Sequence, residues 1–261
     1  MEFFALAANI ATHIEDSKKG EKTILLLHGY LETMYIWEDF YKELSRDYRV
    51  IRMDLPGHGL TCTAPVNTME LMATVAKGVL DVCKVDKATV IGHSMGGFVA
   101  LDCCRLFPDR FEKLVLLNSY PYSESDSSRA VRAREQAAIN ANHLTTLAEL
   151  SIPKMFYGEN LRRLDDKIRE TIELCETHDP AGIIASVKGI IQKEDSSAWL
   201  AGCNIPAMSI CGESDSLVTE EIRGRMAADF PKVRQITLPK CGHNVFLEYP
   251  EQTLELIREF V

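Results

Sequence analysis

No stretch of the sequence approaches the ~18 consecutive apolar residues that a membrane-spanning helix needs, so nothing in it reads as crossing a bilayer. There is no excess of positive charge either. The formal net charge is −9, and an acidic chain repels nucleic-acid backbones and anionic lipid surfaces. The best local basic cluster, Arg129, Arg132 and Arg134, has Glu135 beside it and reads as a solvated helix face. Eight cysteines are present without a CxxC pair, and most lie in apolar runs. The opening "MEFFALAA" lacks a basic leader, carries Glu2 and is interrupted by Asn9 and His13, so a short first strand is expected there in place of a signal peptide. The cysteines then read as reduced core thiols of a cytoplasmic protein. GxxxxGK[ST] and GxGxxG are both missing, which disfavours a phosphate-binding loop. Internal repeats and low-complexity linkers are missing as well, so the 261 residues suffice for one large α/β domain or a core with an insertion.

Strand-like and helix-like runs alternate along most of the chain. Residues 23–29, 48–55, 88–92, 113–119, 206–212 and 234–239 are short and apolar, as expected for strands buried on both faces, and residues up to about 15 supply one or two more. Between them, residues 35–45, 69–83, 97–107, 220–230 and 250–261 carry apolar positions at helical spacing. This order implies a mostly parallel central sheet flanked by helices. The alternation stops between residues 121 and 200, where only helical patterns occur, including Asp179-Pro180 as an N-cap followed by proline at the first helical position. Residues 121–200 are expected to form a helical cap, with 1–120 and 201–261 as the core.

Within that frame, "TVIGHSMGGFVA" (residues 89–100) places three glycines around Ser94 where a buried strand gives way to a helix. The pattern GxSxG alone is weak, occurring by chance in about one chain in ten of this length at roughly 7% per position. Its strand–turn–helix setting makes it specific. A serine held with positive φ lifts its hydroxyl above the sheet, and a Cβ at Gly92 or Gly96 would strike a neighbouring strand or helix. A bare glycine-rich bend is the alternative, and partner residues decide between the two.

A serine hydroxyl needs a base, and the base needs an orienting acid. His243 follows the last strand on a glycine-containing loop and is the candidate base; His28, His58 and His93 precede or flank the serine, and His13, His143 and His178 lie away from strand ends. Asp215, just past residues 206–212, is the candidate acid, with Glu213 as a nearer alternative. Asn118 and Ser119 occupy the other place for an acid but carry no carboxylate, and Glu248 reads as a first-turn residue of the closing helix. The backbone N–H groups of Met95 and Tyr30 are the candidate oxyanion donors.

These residues lie in "LLLHGY", "DLPGHGLT", "GHSMGG", "GESDSLV" and "CGHNVFLEYPE", and in that order the chain resembles the α/β-hydrolase fold superfamily, in its group with a helical cap. The resemblance covers nearly the whole length. It implies Asp54 and His58 as organisers of a turn, and serine at the nucleophile position argues against haloalkane dehalogenases and epoxide hydrolases. It also implies a serine hydrolase acting on a small carboxylic ester, thioester or lactone, with no metal or organic cofactor. Carbon–carbon bond hydrolysis or elimination on a carboxylate-bearing substrate is a rival; it would call for pocket arginines, for which Arg129, Arg132, Arg162 and Arg163 are available. A non-catalytic ligand-binding receptor of the same fold is a third reading, disfavoured because all three triad residues are present. Ile152, Met155, Phe156, Ile183 and Ile184 suggest a pocket for an apolar acyl or alcohol part.

Overall fold

The structure, a computed structural model, describes residues 1–261. The first residues form a hairpin of β1 (Glu2–Ala7) and β2 (Ile10–Asp16), turning through Ala8 and Asn9, which both have positive φ. β3 (Thr23–Leu27) follows, then a 3₁₀ turn, α1 (Glu38–Leu44), β4 (Arg49–Met53), α2 (Met69–Val82), β5 (Ala88–His93), α3 (Met95–Leu106) and β6 (Phe111–Leu117). Only helices come next: α4 (Asp126–Asn140), α5 (Leu144–Ser151), α6 (Asp165–Glu176), α7 (Pro180–Ile191) and α8 (Ser197–Gly202). The chain closes with β7 (Ala207–Gly212), α9 (Glu220–Asp229), β8 (Arg234–Leu238), α10 (Val245–Glu248) and α11 (Pro250–Phe260).

The strand order is β1-β2-β4-β3-β5-β6-β7-β8. β2 pairs antiparallel with β1 and β4, and every other pair is parallel. The mostly parallel sheet expected from the sequence is present, with the hairpin adding an antiparallel edge. All five residues of β3 are buried because both sheet faces are covered. Leu25 and Leu27 join a cluster of 47 buried residues with α2 and α3. Ile24 and Leu26 join a second cluster of 19 with Trp37 and Ile257. The period of two along a strand thus feeds two separate cores.

This topology brings the carboxyl ends of β3, β5, β6, β7 and β8 to one edge, and the helices between β6 and β7 lie over that edge. Their attachment uses small residues and caps. Asp179 accepts from Ala181 N–H and starts α7, as its Asp-Pro sequence predicts. A Cβ at Gly189 of α7 would strike the Asn67 carbonyl, so this helix touches the core backbone directly. Asn67 donates to the Pro56 carbonyl and to Ser186 Oγ at 3.0 and 3.1 Å, tying the same helix to the segment after β4. α6 begins at Asp165, later than the periodicity from Leu161 suggests, because residues 158–160 form a separate 3₁₀ turn. No helix is long and apolar enough to cross a membrane.

Candidate active site

β5 ends at His93, and Ser94 takes φ +49° before α3 begins. This conformation is costly for a non-glycine residue and survives only where the surroundings over-determine it. Ser94 N–H donates to the Leu117 carbonyl of β6 at 3.0 Å. Its own carbonyl accepts from Ser119 Oγ at 2.9 Å. A Cβ on Gly96 would meet the Leu27 carbonyl of β3, and one on Gly92 would meet the Gly96 carbonyl. The two glycines therefore let β5, α3 and β3 approach closely enough to hold the turn. At Gly97 the obstacle would be the Ser119 side chain.

Two loops deliver the partners. After β8, His243 places Nε2 2.9 Å from Ser94 Oγ. Its Nδ1 lies 2.8 Å from Asp215 Oδ2, in the loop after β7. A carboxylate accepts only, so Nδ1 carries the proton and Nε2 is free to accept from the serine hydroxyl. Asp215 is fully engaged: Oδ2 also accepts from Asn118 Nδ2 at 2.8 Å, and Oδ1 accepts from Leu217 and Val218 N–H. Burial pushes its carboxyl up, but His243, Asn118 and the Val218 N–H outweigh this and hold it at about 2. Glu213, the alternative acid, instead accepts from Lys240 N–H.

Of the candidate oxyanion donors, Tyr30 lines the space in front of Ser94 and Met95 follows Ser94 directly in the chain. Met95 is the first residue of α3, so its N–H has no intrahelical partner. The Gly29 carbonyl accepts from His28 Nδ1 at 2.8 Å, which fixes the Gly29–Tyr30 peptide. In a trans peptide the Tyr30 N–H then points the opposite way. His28 Nε2 accepts from Leu55 N–H, joining this loop to "DLPGHG". There Asp54 accepts from Met34 and Leu60 N–H, organising the turn as expected.

Ser94 and His243 open onto a cavity of about 460 Å³. Tyr30, Leu31 and Phe98 line it from the core, and Val131, Arg132, Glu135 and Met155 from the helices above. Here two expectations need correction. Of the five apolar residues expected in the wall, only Met155 lines the cavity. Ile152, Phe156 and Ile183 are buried in the larger core, and Ile184 packs against it. Ser125, Ser127, Ser128, Ser151 and Lys154 contribute polar lining in their place. The basic cluster on α4 is also not wholly solvated. Arg129 and Arg134 are exposed, but the Arg132 side chain is only 18% exposed, bonds Glu135 at 2.8 Å and lies over the Tyr30 ring. Arg163 instead donates to the Glu248 carbonyl.

The roles of several residues near the site were not foreseen from sequence. Asn118, with φ +48°, holds Asp215 from the place the other acid position would occupy, and its Oδ1 accepts from Val245 N–H. Its position at the end of β6 was the available signal. Glu248 is no ordinary first-turn residue: it ends α10, is buried, and accepts from Gly242 N–H at 2.7 Å, Tyr157 N–H at 3.0 Å and Asn160 Nδ2 at 2.7 Å. His243 N–H also donates to the Met155 carbonyl at 2.6 Å, so the histidine loop and the helical insertion are bonded together. The Glu32–His93 pair beneath Ser94 carried no sequence signal beyond nearness to strand ends.

The comparisons with known proteins agree with this architecture. The family defined by the alpha/beta hydrolase fold matches residues 22–250. A pimeloyl-[acyl-carrier protein] methyl ester esterase of Nitrosomonas europaea is 27% identical over 249 residues, covering 92% of this chain and 95% of that protein. Esterase YbfF of Escherichia coli is 28% identical over 271 residues, covering 97% and 98%. Among solved structures, a thermophilic esterase from Thermogutta terrifontis superimposes with a TM-score of 0.91 at 26% identity, covering 99% of this chain and 97% of that one. The enol-lactonase of Burkholderia xenovorans LB400, at 22% identity and TM-score 0.89 over 98% of both chains, shows the shared fold. The chain belongs to the α/β-hydrolase fold family.

Proposed function

We propose that this protein is a serine hydrolase that cleaves a small carboxylic ester through an acyl-enzyme on Ser94. The observation that carries the reading is the continuous line from Asp215 to His243 to Ser94, with contacts of 2.8 and 2.9 Å, opening onto a cavity. The kinship with named esterases supports ester hydrolysis in general.

His243 Nε2 accepts the Ser94 proton as Oγ attacks the ester carbonyl carbon. The carbonyl oxygen becomes an oxyanion and accepts from the Met95 and Tyr30 N–H groups. Collapse breaks the bond to the alcohol oxygen, which takes the proton from His243. Water then attacks the acyl carbon, His243 takes its proton, and the second collapse returns that proton to Ser94. Asp215 stays ionised and stabilises the imidazolium formed in each half-reaction. These residues need no metal or organic cofactor for this sequence of steps. Residues 121–200 act as a cap over the core formed by 1–120 and 201–261.

The mixed lining favours a substrate with an apolar part against Phe98, Leu217 and Ile222 and a polar part against the α4 serines. The carbon–carbon cleavage reading gains little support, since only Arg132 of its four candidate arginines lines the cavity and Glu135 already pairs with it. Ser94→Ala is expected to abolish hydrolysis of p-nitrophenyl butyrate while the circular dichroism spectrum and Tm stay unchanged. Undiminished turnover by that variant would overturn the assignment.

A further inference from the structure

Glu32 and His93 lie directly beneath the elbow, both buried, and neither touches the cavity. His93 Nε2 is 2.9 Å from the His243 carbonyl, and Nδ1 is 3.0 Å from Glu32 Oε2. A carbonyl oxygen only accepts, so Nε2 must carry a proton. The contact between Nδ1 and Oε2 needs one more proton, placed on nitrogen or on oxygen. Oε2 already accepts from Gly29 N–H at 2.6 Å, which stabilises negative charge on that oxygen. The proton therefore belongs on Nδ1.

We propose that Glu32 and His93 form a second, charge-separated acid–histidine pair, with His93 a buried imidazolium that positions the oxyanion loop and the base loop together. The pair rests on the reading of Ser94 as nucleophile for its purpose, but not for its protonation state. Its two members are positioning residues. Glu32 holds Gly29 N–H one residue before the Tyr30 donor. His93 holds the backbone of the base and is itself the residue preceding Ser94. Three parts of the reaction site thus meet at one ion pair in a water-poor interior, where a charge-assisted contact is strong and directional.

Two further observations agree. A Cβ on Gly29 would lie 2.8 Å from His93 Nδ1 and 2.9 Å from Glu32 Oε2, so this glycine is required by the pair. Burial by itself would lower His93 and raise Glu32, yet each is shifted the other way by its partner, His93 upward and Glu32 downward. The remaining groups around the ring are His28 at the end of β3, Asp215 and His243 on their loops, and Phe246 of α10, whose ring meets His93 edge-on at 4.9 Å.

The test is nitrogen NMR of the full-length protein labelled at histidine, with His93 assigned by its loss in His93→Gln. Both His93 ring nitrogens are expected to carry protons at neutral pH, where an ordinary histidine has lost one of them. A single protonated ring nitrogen at neutral pH would overturn the proposal, whether or not Ser94 proves to be the nucleophile. Glu32→Gln keeps the shape while removing the charge. It should abolish the imidazolium signal and lower kcat by about tenfold to a hundredfold with KM nearly constant. Glu32→Asp should restore the signal and part of kcat. A folded Glu32→Gln protein with unchanged kcat would also overturn it.

Discussion

The floor and the roof of the cavity are built on different principles. On the floor, the three residues of the line are each held by assigned partners: Asp215 accepts four hydrogen bonds, Ser94 is bonded through its backbone to β6 and its loop, and His243 is held at both ring nitrogens. On the roof, α4 buries a single residue, Ile139, and presents Val131 at 49% exposure beside the half-buried Arg132. A floor held by backbone sterics and by hydrogen bonds to Ser94, His243 and Asp215 tolerates little change, which suits reacting atoms. A roof of exposed serines and side-chain pairs can vary without disturbing the floor, which suits substrate selection. The two meet at Glu248 and at the His243–Met155 backbone bond.

The largest effect should come from breaking the floor. Asp215→Asn removes the carboxylate that fixes the His243 tautomer, and Asn118 cannot replace it. kcat should fall on the order of 10⁴-fold in steady-state ester hydrolysis, with KM little changed. An effect smaller than about tenfold would show that the floor tolerates change after all.

Next comes the junction. Glu248→Ala leaves Gly242 N–H and Tyr157 N–H without their acceptor and leaves the Asn160 amide with only the Lys240 carbonyl. The expected loss is about 3 kcal/mol in urea denaturation, with Glu248→Gln recovering part of it. If Glu248→Ala unfolds at the wild-type midpoint, the insertion is not bolted to the histidine loop through this side chain.

A comparable effect arises where the start of α7 meets the core. His178 is buried against His58, and its Nδ1 accepts from Gly59 N–H. Burial first, then neighbouring His28, pushes it from 6.5 to about 4. Below pH 6.5 the unfolded chain takes up a proton that the folded one refuses, so stability present at neutral pH is lost as pH falls from 6.5 toward about 4. The contribution is up to about 3 kcal/mol. His178→Gln, which can still accept from Gly59 N–H, should flatten Tm against pH in this window, and an unchanged slope would show that His178 does not carry the pH dependence.

The smallest effect should come from the roof itself. Arg132→Met is expected to shift the order of preference across a series of p-nitrophenyl acyl esters, with KM changing by about tenfold, or ~1.4 kcal/mol, and kcat changing less. A loss of kcat as deep as that of Asp215→Asn would erase the distinction between floor and roof.

The same contrast explains what the sequence disclosed. The strands were legible because double burial demands continuous apolar runs such as "TILLL", and the elbow because glycine is required where backbones touch. Asp215 and His243 followed from their places after strands. The cavity wall was not legible: α4 buries one residue, so its sequence has no apolar stripe to say which side faces inward, and Arg132 was read with its exposed neighbours. Ile152, Phe156 and Ile183 are apolar because they pack into the larger core, a demand indistinguishable in sequence from lining a pocket. Asn118, Glu248 and Glu32 were missed because buried polar residues that serve other residues' backbones or side chains leave no periodic trace.

The proposed chemistry requires Ser94 to be a nucleophile activated by His243. Its most direct test is mass spectrometry of the protein after exposure to a fluorophosphonate probe. One adduct is expected, on the peptide carrying Ser94, lost in Ser94→Ala and strongly slowed in His243→Gln. A folded wild-type protein that stays unlabelled, or one labelled only at another residue, would contradict it.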